Sequence, residues 1–109
     1  CAHKFVDISE DYYGVALLND CKYGYRLNES TIDLNLLRSQ NYPGRDSDRG
    51  VHQFTYSLYP HAGNISAGEV VKKGYELNNK LTVMNGTFAS NSRSLLSLNH
   101  DNAVVDTVK

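Results

Sequence analysis

The stretch that decides the fold class is Thr31-Ile32-Asp33-Leu34-Asn35-Leu36-Leu37. Ile32, Leu34 and Leu36 fall on one face of an extended chain, and the polar residues Asp33 and Asn35 fall on the other. This period of two is that of a strand with one face buried and one face in water. Such half-buried strands are typical of antiparallel sheets, so the stretch predicts an antiparallel β structure.

Other short runs rich in apolar or β-branched residues surround this stretch, and turn signals separate them. The expected strands, the one above included, are residues 3–8, 13–18, 22–27, 31–37, 51–59, 81–84, 94–98 and 103–108. Pro60 and Gly63 are expected to close the strand 51–59. The expected core residues are Val15, Leu17, Ile32, Leu34, Leu36, Phe54, Tyr56, Leu58, Val104 and Val108.

One segment has helical rather than strand periodicity. Residues 67, 70, 71, 74 and 75 are apolar or small and form one stripe on a helix. Ser66 and Glu69 have the spacing of a capping box at the start, and Asn78 and Asn79 are a plausible end. We therefore expect an all-β fold, an antiparallel β-sandwich with one short helix, as a single domain over residues 1–109.

Composition excludes several classes of protein. The chain has 109 residues, 40% hydrophobic and 21% charged, with a formal net charge of -1. This charge favours neither nucleic acid nor an anionic membrane as a partner. No apolar run approaches the about 20 residues that a membrane helix needs. With only two cysteines, Cys1 and Cys21, we expect free thiols and no disulfide framework.

Both ends of the chain suggest that it is part of a longer polypeptide. It begins at Cys1 without an initiator methionine, and its last expected strand reaches almost to Lys109. We interpret it as a truncated β-sandwich, cut through a sheet.

No residue set in the sequence predicts catalysis or metal binding. The four histidines have neither H-x-H nor H-E-x-x-H spacing, and the cysteines lack zinc-site spacing. A glycosidase needs two carboxyl groups about 5–9.5 Å apart, and spacing alone identifies no such pair. We predict no catalytic residue and no metal ligand in this chain.

The long loop around residues 39–50 is the best local candidate for a binding function. It contains two arginines and two aspartates, whose fork-shaped groups can bond the vicinal hydroxyls of a sugar: Arg45, Asp46, Asp48 and Arg49. The alternative is a solvated charged loop without a ligand. His61, which follows Tyr59 and Pro60, is a further candidate because it lies at a strand end.

Longer stretches resemble the C-terminal region of the family 38 α-mannosidases, in their cytosolic and bacterial branch. The order and spacing are kept over about residues 3–80. The segments that carry the resemblance are Tyr13-Gly14-Val15-Ala16-Leu17-Leu18-Asn19-Asp20-Cys21-Lys22-Tyr23-Gly24-Tyr25, Leu36-Leu37-Arg38-Ser39, Asp48-Arg49-Gly50, Phe54-Thr55-Tyr56-Ser57-Leu58-Tyr59-Pro60-His61-Ala62-Gly63 and Tyr75-Glu76-Leu77-Asn78-Asn79.

The resemblance implies that this chain has a non-catalytic role. Family members are retaining α-mannosidases whose nucleophile and divalent metal, usually zinc, belong to an N-terminal catalytic domain. The β-sandwich part packs beside that domain, and the arginine of the Asp-Arg-Gly loop approaches the substrate in some members. By position that arginine is Arg49, with Asp48 and Gly50 shaping the loop. Asp48, Arg49 and the strand-end candidate His61 are the residues that we expect near the substrate in the parent.

We therefore expect a non-catalytic, cytoplasmic piece of an α-mannosidase. Its partners would be the catalytic domain of the same chain and mannosides, and the isolated piece would self-associate through exposed sheet edges. An independent carbohydrate-binding module is the alternative, and a protein-interaction sandwich unrelated to sugars is a third hypothesis.

Overall fold

The structure is a computed structural model that describes residues 1–87, 94–100 and 103–108. The chain divides into two compact units, Cys1–Asn79 and Lys80–Lys109. The helix and strands of the described residues all lie in the first unit. They are β1 Phe5–Ser9, β2 Tyr13–Asn19, β3 Tyr25–Asn28, β4 Thr31–Leu34, β5 Tyr56–Ala62 and α1 Val70–Asn78.

β2 is the central strand of the larger sheet. The sheet has the order β1-β2-β5, and both pairings are antiparallel. Residues 16–19 of β2 are all buried; β2 is paired on both edges, and α1 covers one of its faces. The apolar run within residues 13–18 therefore makes the strand that the sequence predicts.

β3 and β4 form a separate two-stranded antiparallel hairpin. Its turn contains Glu29 with a positive φ of 50°, and Asn28 pairs with Thr31 across it. The alternating stretch that predicts a strand is thus confirmed at residues 31–34, but residues 35–37 are not in a strand. Two antiparallel sheets and one short helix confirm the predicted all-β, sandwich-like fold class.

α1 packs against one face of the three-stranded sheet. Val70 is fully buried and forms a cluster with Ala16 and Leu18 of β2. Phe5, Tyr59 and Leu77 pack around that cluster. The Asn78 side chain donates to the carbonyl of Asn19 at 3.1 Å, which fixes the end of α1 to the end of β2.

The predicted start of the helix is wrong. α1 begins at Val70 rather than at residue 66, and Glu69 precedes it in the left-handed region with no side-chain cap. The Asn64 side chain instead accepts the N–H groups of Ser66 and Ala67, at 3.1 and 3.2 Å. This local turn competes with helix formation and delays the first helical residue.

The predicted bounds of the strand 51–59 are also wrong. β5 begins only at Tyr56 and continues through Pro60 to Ala62. Residues 51–55 are outside it, and the Thr55 N–H donates to the Asp20 carboxylate instead of to a strand. Pro60 is tolerated because β5 lies at the edge of its sheet, where a missing N–H need not cost a ladder bond.

Most of the predicted core residues lie elsewhere. Leu17 is buried as expected, whereas Leu58 is 68% exposed and Tyr56 is 56% exposed. Leu36, Val104 and Val108 are also exposed, and Val15, Ile32, Leu34 and Phe54 are partly buried. Periodicity identifies a shared face, but it does not show whether another element covers that face. In the part of the chain that the structure describes, the buried hydrophobic residues are Val6, Ala16, Leu17, Leu18 and Val70.

The second unit has no strand among its described residues, 80–87, 94–100 and 103–108. The predicted strands 81–84, 94–98 and 103–108 are therefore wrong. Leu81 and Leu95, for example, are 93% and 100% exposed. An extended run becomes a strand only when it finds a paired neighbour, and these runs have none in the described chain. The extent of the domain, residues 1–109, stays a prediction.

Candidate functional site

Asp48 organises the loop that carries the predicted substrate contacts. Its carboxylate accepts the backbone N–H of Ser39 at 2.8 Å, which joins two ends of the loop nine residues apart. Its carbonyl lies 2.8 Å from Nε2 of His52. Asp48 itself has a φ of 63°, a region that Asp tolerates better than most residues. The Asp48 side chain therefore links the two ends of the loop by a hydrogen bond, which we call the Asp48–Ser39 link.

Arg49 projects from the next position of the same loop. Its guanidinium pairs with the Asp46 carboxylate at 2.9 Å, and both side chains are more than three-quarters exposed. An exposed pair of this kind contributes about 0–1 kcal/mol, so the guanidinium can exchange Asp46 for another partner at small cost. The positively charged guanidinium of Arg49 is therefore available at the surface.

Gly50 follows Arg49 with a φ of 135°, a backbone conformation that residues with a side chain rarely adopt. A Cβ at Gly50 would meet nothing within 4 Å, so the backbone conformation and not the available space requires glycine. The three residues thus have different structural roles. Asp48 holds the loop, Arg49 projects from it, and Gly50 turns the chain.

His61 lies in β5, apart from this loop, and its side chain is only 2% exposed. Its Nε2 lies 2.8 Å from Oδ1 of Asp7 on β1, whose side chain is 3% exposed. Its Nδ1 lies 3.4 Å from the Ala62 carbonyl. The ring therefore joins the two edge strands of the sheet. A role for His61 near a substrate stays a prediction.

Two glycines make room for this ring. A Cβ at Gly14 would lie 2.5 Å from the His61 ring, and a Cβ at Gly68 would lie 2.2 Å from it. Real Cβ atoms do not approach so closely. The central strand and the segment before α1 therefore both contact the imidazole, and Tyr59 stacks at 5.9 Å between ring centroids.

A third polar anchor connects β2 to the segment before β5. The Asp20 carboxylate accepts the Thr55 N–H at 2.9 Å, and this bond is the main reason that the Asp20 pKa falls to about 2. The neighbouring Asn19 is 1% exposed, and its side chain accepts the N–H groups of Cys21 and Lys22.

The sequence did not predict that the side chains of Asp7, Asn19 and Asp20 hold parts of the fold together by hydrogen bonds. The pair Asn19-Asp20 gave a signal, because Asn and Asp often accept N–H groups two or three residues further on. Asp7 gave none, since its partner His61 is 54 residues away in the chain.

A groove lies between the two sheets of the first unit. Its volume is about 470 Å³, within the range of ligand pockets. Apolar side chains of both sheets line it, together with polar residues. The lining residues are Ile8, Ser9, Glu10, Tyr13, Val15, Ser30, Ile32 and Leu58.

Within the described residues, no three His, Cys, Asp or Glu side chains are grouped so that they could hold a metal ion. In the same part of the chain, no helix has the length and apolar character needed to cross a membrane.

Comparison with known proteins gives a consistent result. The profile described as "Glycosyl hydrolases family 38 C-terminal domain" matches residues 1–46. Alpha-mannosidase G of Dictyostelium discoideum is 44% identical over 98% of this chain, and alpha-mannosidase 2C1 of Homo sapiens is 39% identical over 99%. Alpha-mannosidase of Saccharomyces cerevisiae is 45% identical over 72% of the chain. No solved structure matches.

These matches and the sheet-rich fold define the class: the chain belongs to the family 38 glycosyl hydrolases, as part of their C-terminal region. Within that family it is similar to the α-mannosidases named above. The chain spans 10% of the Dictyostelium protein and 11% of the human one, so it corresponds to about a tenth of these relatives.

Proposed function

We propose that this chain is a non-catalytic part of a larger, retaining α-mannosidase that releases terminal α-linked mannose. The observation that carries the proposal is the 44% identity to alpha-mannosidase G across 98% of the chain. Identity at this level over nearly every residue indicates a shared role, and the shared role of a C-terminal region is that of a supporting domain.

The catalytic groups are expected elsewhere in the parent protein. The described residues hold no cluster that could bind a metal ion. The nucleophile and a divalent metal, zinc or another, would belong to a separate catalytic domain. That domain and mannosides are the partners that this proposal implies, and the cytoplasm is the proposed location.

The loop of Asp48, Arg49 and Gly50 is the proposed contribution of this chain to substrate binding. The hydrogen bond from the Ser39 N–H to the Asp48 carboxylate holds the loop backbone. The guanidinium of Arg49 forms an exposed ion pair with Asp46. A guanidinium can donate two parallel bonds to neighbouring sugar oxygens or to an acidic residue of the site.

The test is Arg49→Ala in the full-length parent. Loss of a charge-assisted hydrogen bond to substrate costs about 1.5–3 kcal/mol, so kcat/KM on an α-mannoside should fall by about 10-fold to 150-fold. The thermal midpoint should stay within the range of other surface variants. Arg45→Ala is the matched control, because it removes an arginine from the same loop outside the Asp-Arg-Gly turn.

Unchanged kinetics for Arg49→Ala would remove this residue from the site and leave the supporting role intact. A parent protein that releases no mannose would overturn the proposed function itself. Mannoside binding by the 109-residue chain alone would favour the alternative of an independent carbohydrate-binding module.

A further inference from the structure

The pair Asn85-Gly86 is the one place in the sequence where glycine follows asparagine. Asparagine is a thermolabile residue, because the backbone nitrogen of the next residue can attack its side-chain carbonyl carbon. A Cβ on that next residue hinders the approach. Glycine has no Cβ and adopts more backbone conformations than other residues, so the pair Asn-Gly permits this attack best.

The structure leaves this pair open to solvent. Residues 80–87 lie in neither a helix nor a strand, and Asn85 and Gly86 are both exposed. The preceding residues Val83 and Met84 are 89% and 75% exposed. Water therefore reaches the pair, and no regular element fixes its backbone.

The two reacting groups are also free of competing bonds within the described chain. Neither the side chain of Asn85 nor the N–H of Gly86 forms a hydrogen bond with another residue that the structure describes. A bond from either group to a fixed partner would oppose the reaction, because the nitrogen must lose its proton and the side chain must turn towards it.

Other asparagines are held in place or are followed by a larger residue. Asn19 is 1% exposed, and its side chain accepts the N–H groups of the next turn. The Asn64 side chain accepts two N–H groups as well. Asn28 is exposed like Asn85, but it is paired with Thr31 in the hairpin and is followed by Glu29. Asn28 is therefore the matched reference for Asn85.

We propose that Asn85 is a site of spontaneous deamidation through a cyclic imide formed with Gly86. The Gly86 nitrogen loses its proton to water and forms a bond to Cγ of Asn85, and the bond from Cγ to Nδ2 breaks. The leaving nitrogen takes up a proton and departs as ammonia. One water molecule then opens the imide ring at either of its two carbonyl carbons. The net change is an amide and water converted to a carboxylic acid and ammonia.

The reaction changes both the charge and the backbone at position 85. Opening at one carbonyl gives aspartate, and opening at the other gives isoaspartate, in which the backbone runs through the former side chain and is longer by one methylene group. Either acid adds a negative charge to a chain whose formal net charge is -1. The reaction needs water alone and no mannosidase activity, so the proposal does not rest on the proposed function.

The test is peptide mapping of the intact full-length parent, sampled at intervals during incubation at neutral pH. Mass spectrometry measures conversion of amide to acid at each asparagine, and electron-transfer fragmentation distinguishes isoaspartate from aspartate. We expect conversion at Asn85 to be at least about 10-fold faster than at Asn28, because only Asn85 is followed by a residue without a Cβ. Both acids should form at position 85.

Gly86→Ala is the matched variant, since it adds one methyl group at an exposed position and leaves Asn85 in place. It should slow conversion at Asn85 by about 10-fold and leave the rate at Asn28 unchanged. The thermal midpoint verifies that the variant folds like the parent.

Equal rates at Asn85 and Asn28 in the parent would overturn the proposal, as would an unchanged rate in Gly86→Ala. Aspartate without isoaspartate at position 85 would exclude the cyclic imide and overturn it too. Asn85 also begins the glycosylation sequon Asn85-Gly86-Thr87. A glycan on Asn85 in the parent from its natural source would occupy the amide and likewise overturn the proposal.

Discussion

At the residue scale, buried polar bonds join distant parts of the first unit. The pair of His61 and Asp7 connects β5 to β1 across the central strand, with both side chains at most 3% exposed. A buried polar group that loses its partner costs about 1–3 kcal/mol, much more than an exposed ion pair contributes. Position in the fold, rather than residue type, therefore decides which charged residues matter for stability.

Asp7→Ala should lower the free energy of unfolding by about 1–3 kcal/mol, because the His61 ring keeps its burial and loses its bond. Urea denaturation followed by circular dichroism measures the change. Asp33→Ala is the control: it breaks the pair of Arg26 and Asp33, whose side chains are 80% and 45% exposed, and should cost at most about 1 kcal/mol. Equal effects of the two substitutions would contradict the structural role of Asp7.

Asp20 should contribute a pH-dependent part of the stability. Its pKa is lowered from 3.8 to about 2, chiefly by the bond from the Thr55 N–H. A group whose pKa is depressed on folding stabilises the folded state above its unfolded pKa, and this contribution is lost as pH falls through the folded pKa. Because Asp20 is only partly buried, salt should weaken the effect.

The loss should therefore occur between about pH 4 and pH 2, and Asp20→Asn should reduce the slope of stability against pH in that window. Urea midpoints measured at intervals across the window test this. Identical slopes for the two proteins would show that the Asp20 carboxylate has no such bond in solution.

At the scale of elements, local side-chain bonds decide where α1 begins. The sequence predicts a capping box of Ser66 and Glu69, but neither caps the helix. Glu69 instead pairs with Lys72 at 2.7 Å. Asn64 organises the turn before the helix through two N–H groups. Asn64 and Ser66 are both residue types that favour helix starts. Here the Asn64 side chain accepts the N–H groups of the following turn, and Ser66 does not cap the helix.

Asn64→Ala should destabilise the folded chain by about 1 kcal/mol, the typical value for loss of such a cap. Ser66→Ala is the matched control and should change the free energy of unfolding by less than about 0.5 kcal/mol. Thermal unfolding followed by circular dichroism distinguishes the two. A larger effect at Ser66 would support the capping box that the sequence predicts and contradict the structure.

At the scale of the whole molecule, the chain exposes much apolar surface. Leu58 and Tyr56 are more than half exposed in the first unit, and Leu81, Val83 and Leu95 are more than four-fifths exposed in the second. Exposed apolar patches and free sheet edges mark surfaces that associate with other chains or segments.

The isolated 109-residue chain should therefore self-associate. Size-exclusion chromatography with light scattering should show a mass that rises with concentration above the 12.2 kDa of the monomer. Leu58→Glu should shift the equilibrium towards the monomer, because it places a charge at an exposed apolar position. Glu76→Gln on α1 serves as the control. A clean monomer at high concentration would contradict the prediction.

The sequence by itself determined the fold class and the family. Period-two patterning at residues 31–34 and the apolar run of β2 need no knowledge of neighbours, because alternation and strand propensity are local properties. The long collinear resemblance likewise depended only on residue order. The loop of Asp48, Arg49 and Gly50 was chosen as a candidate site from residue type and spacing, and its role near a substrate stays a prediction.

Only the tertiary structure decided which faces are covered and which residues meet. Leu58 and Leu17 have the same pattern in the sequence, yet Leu58 is 68% exposed and Leu17 is buried, because β2 alone among the described strands is paired on both edges. His61 and Asp7 are 54 residues apart and become partners only when β1 and β5 flank β2. Burial and long-range pairing depend on the packing of whole elements, which a local pattern does not contain.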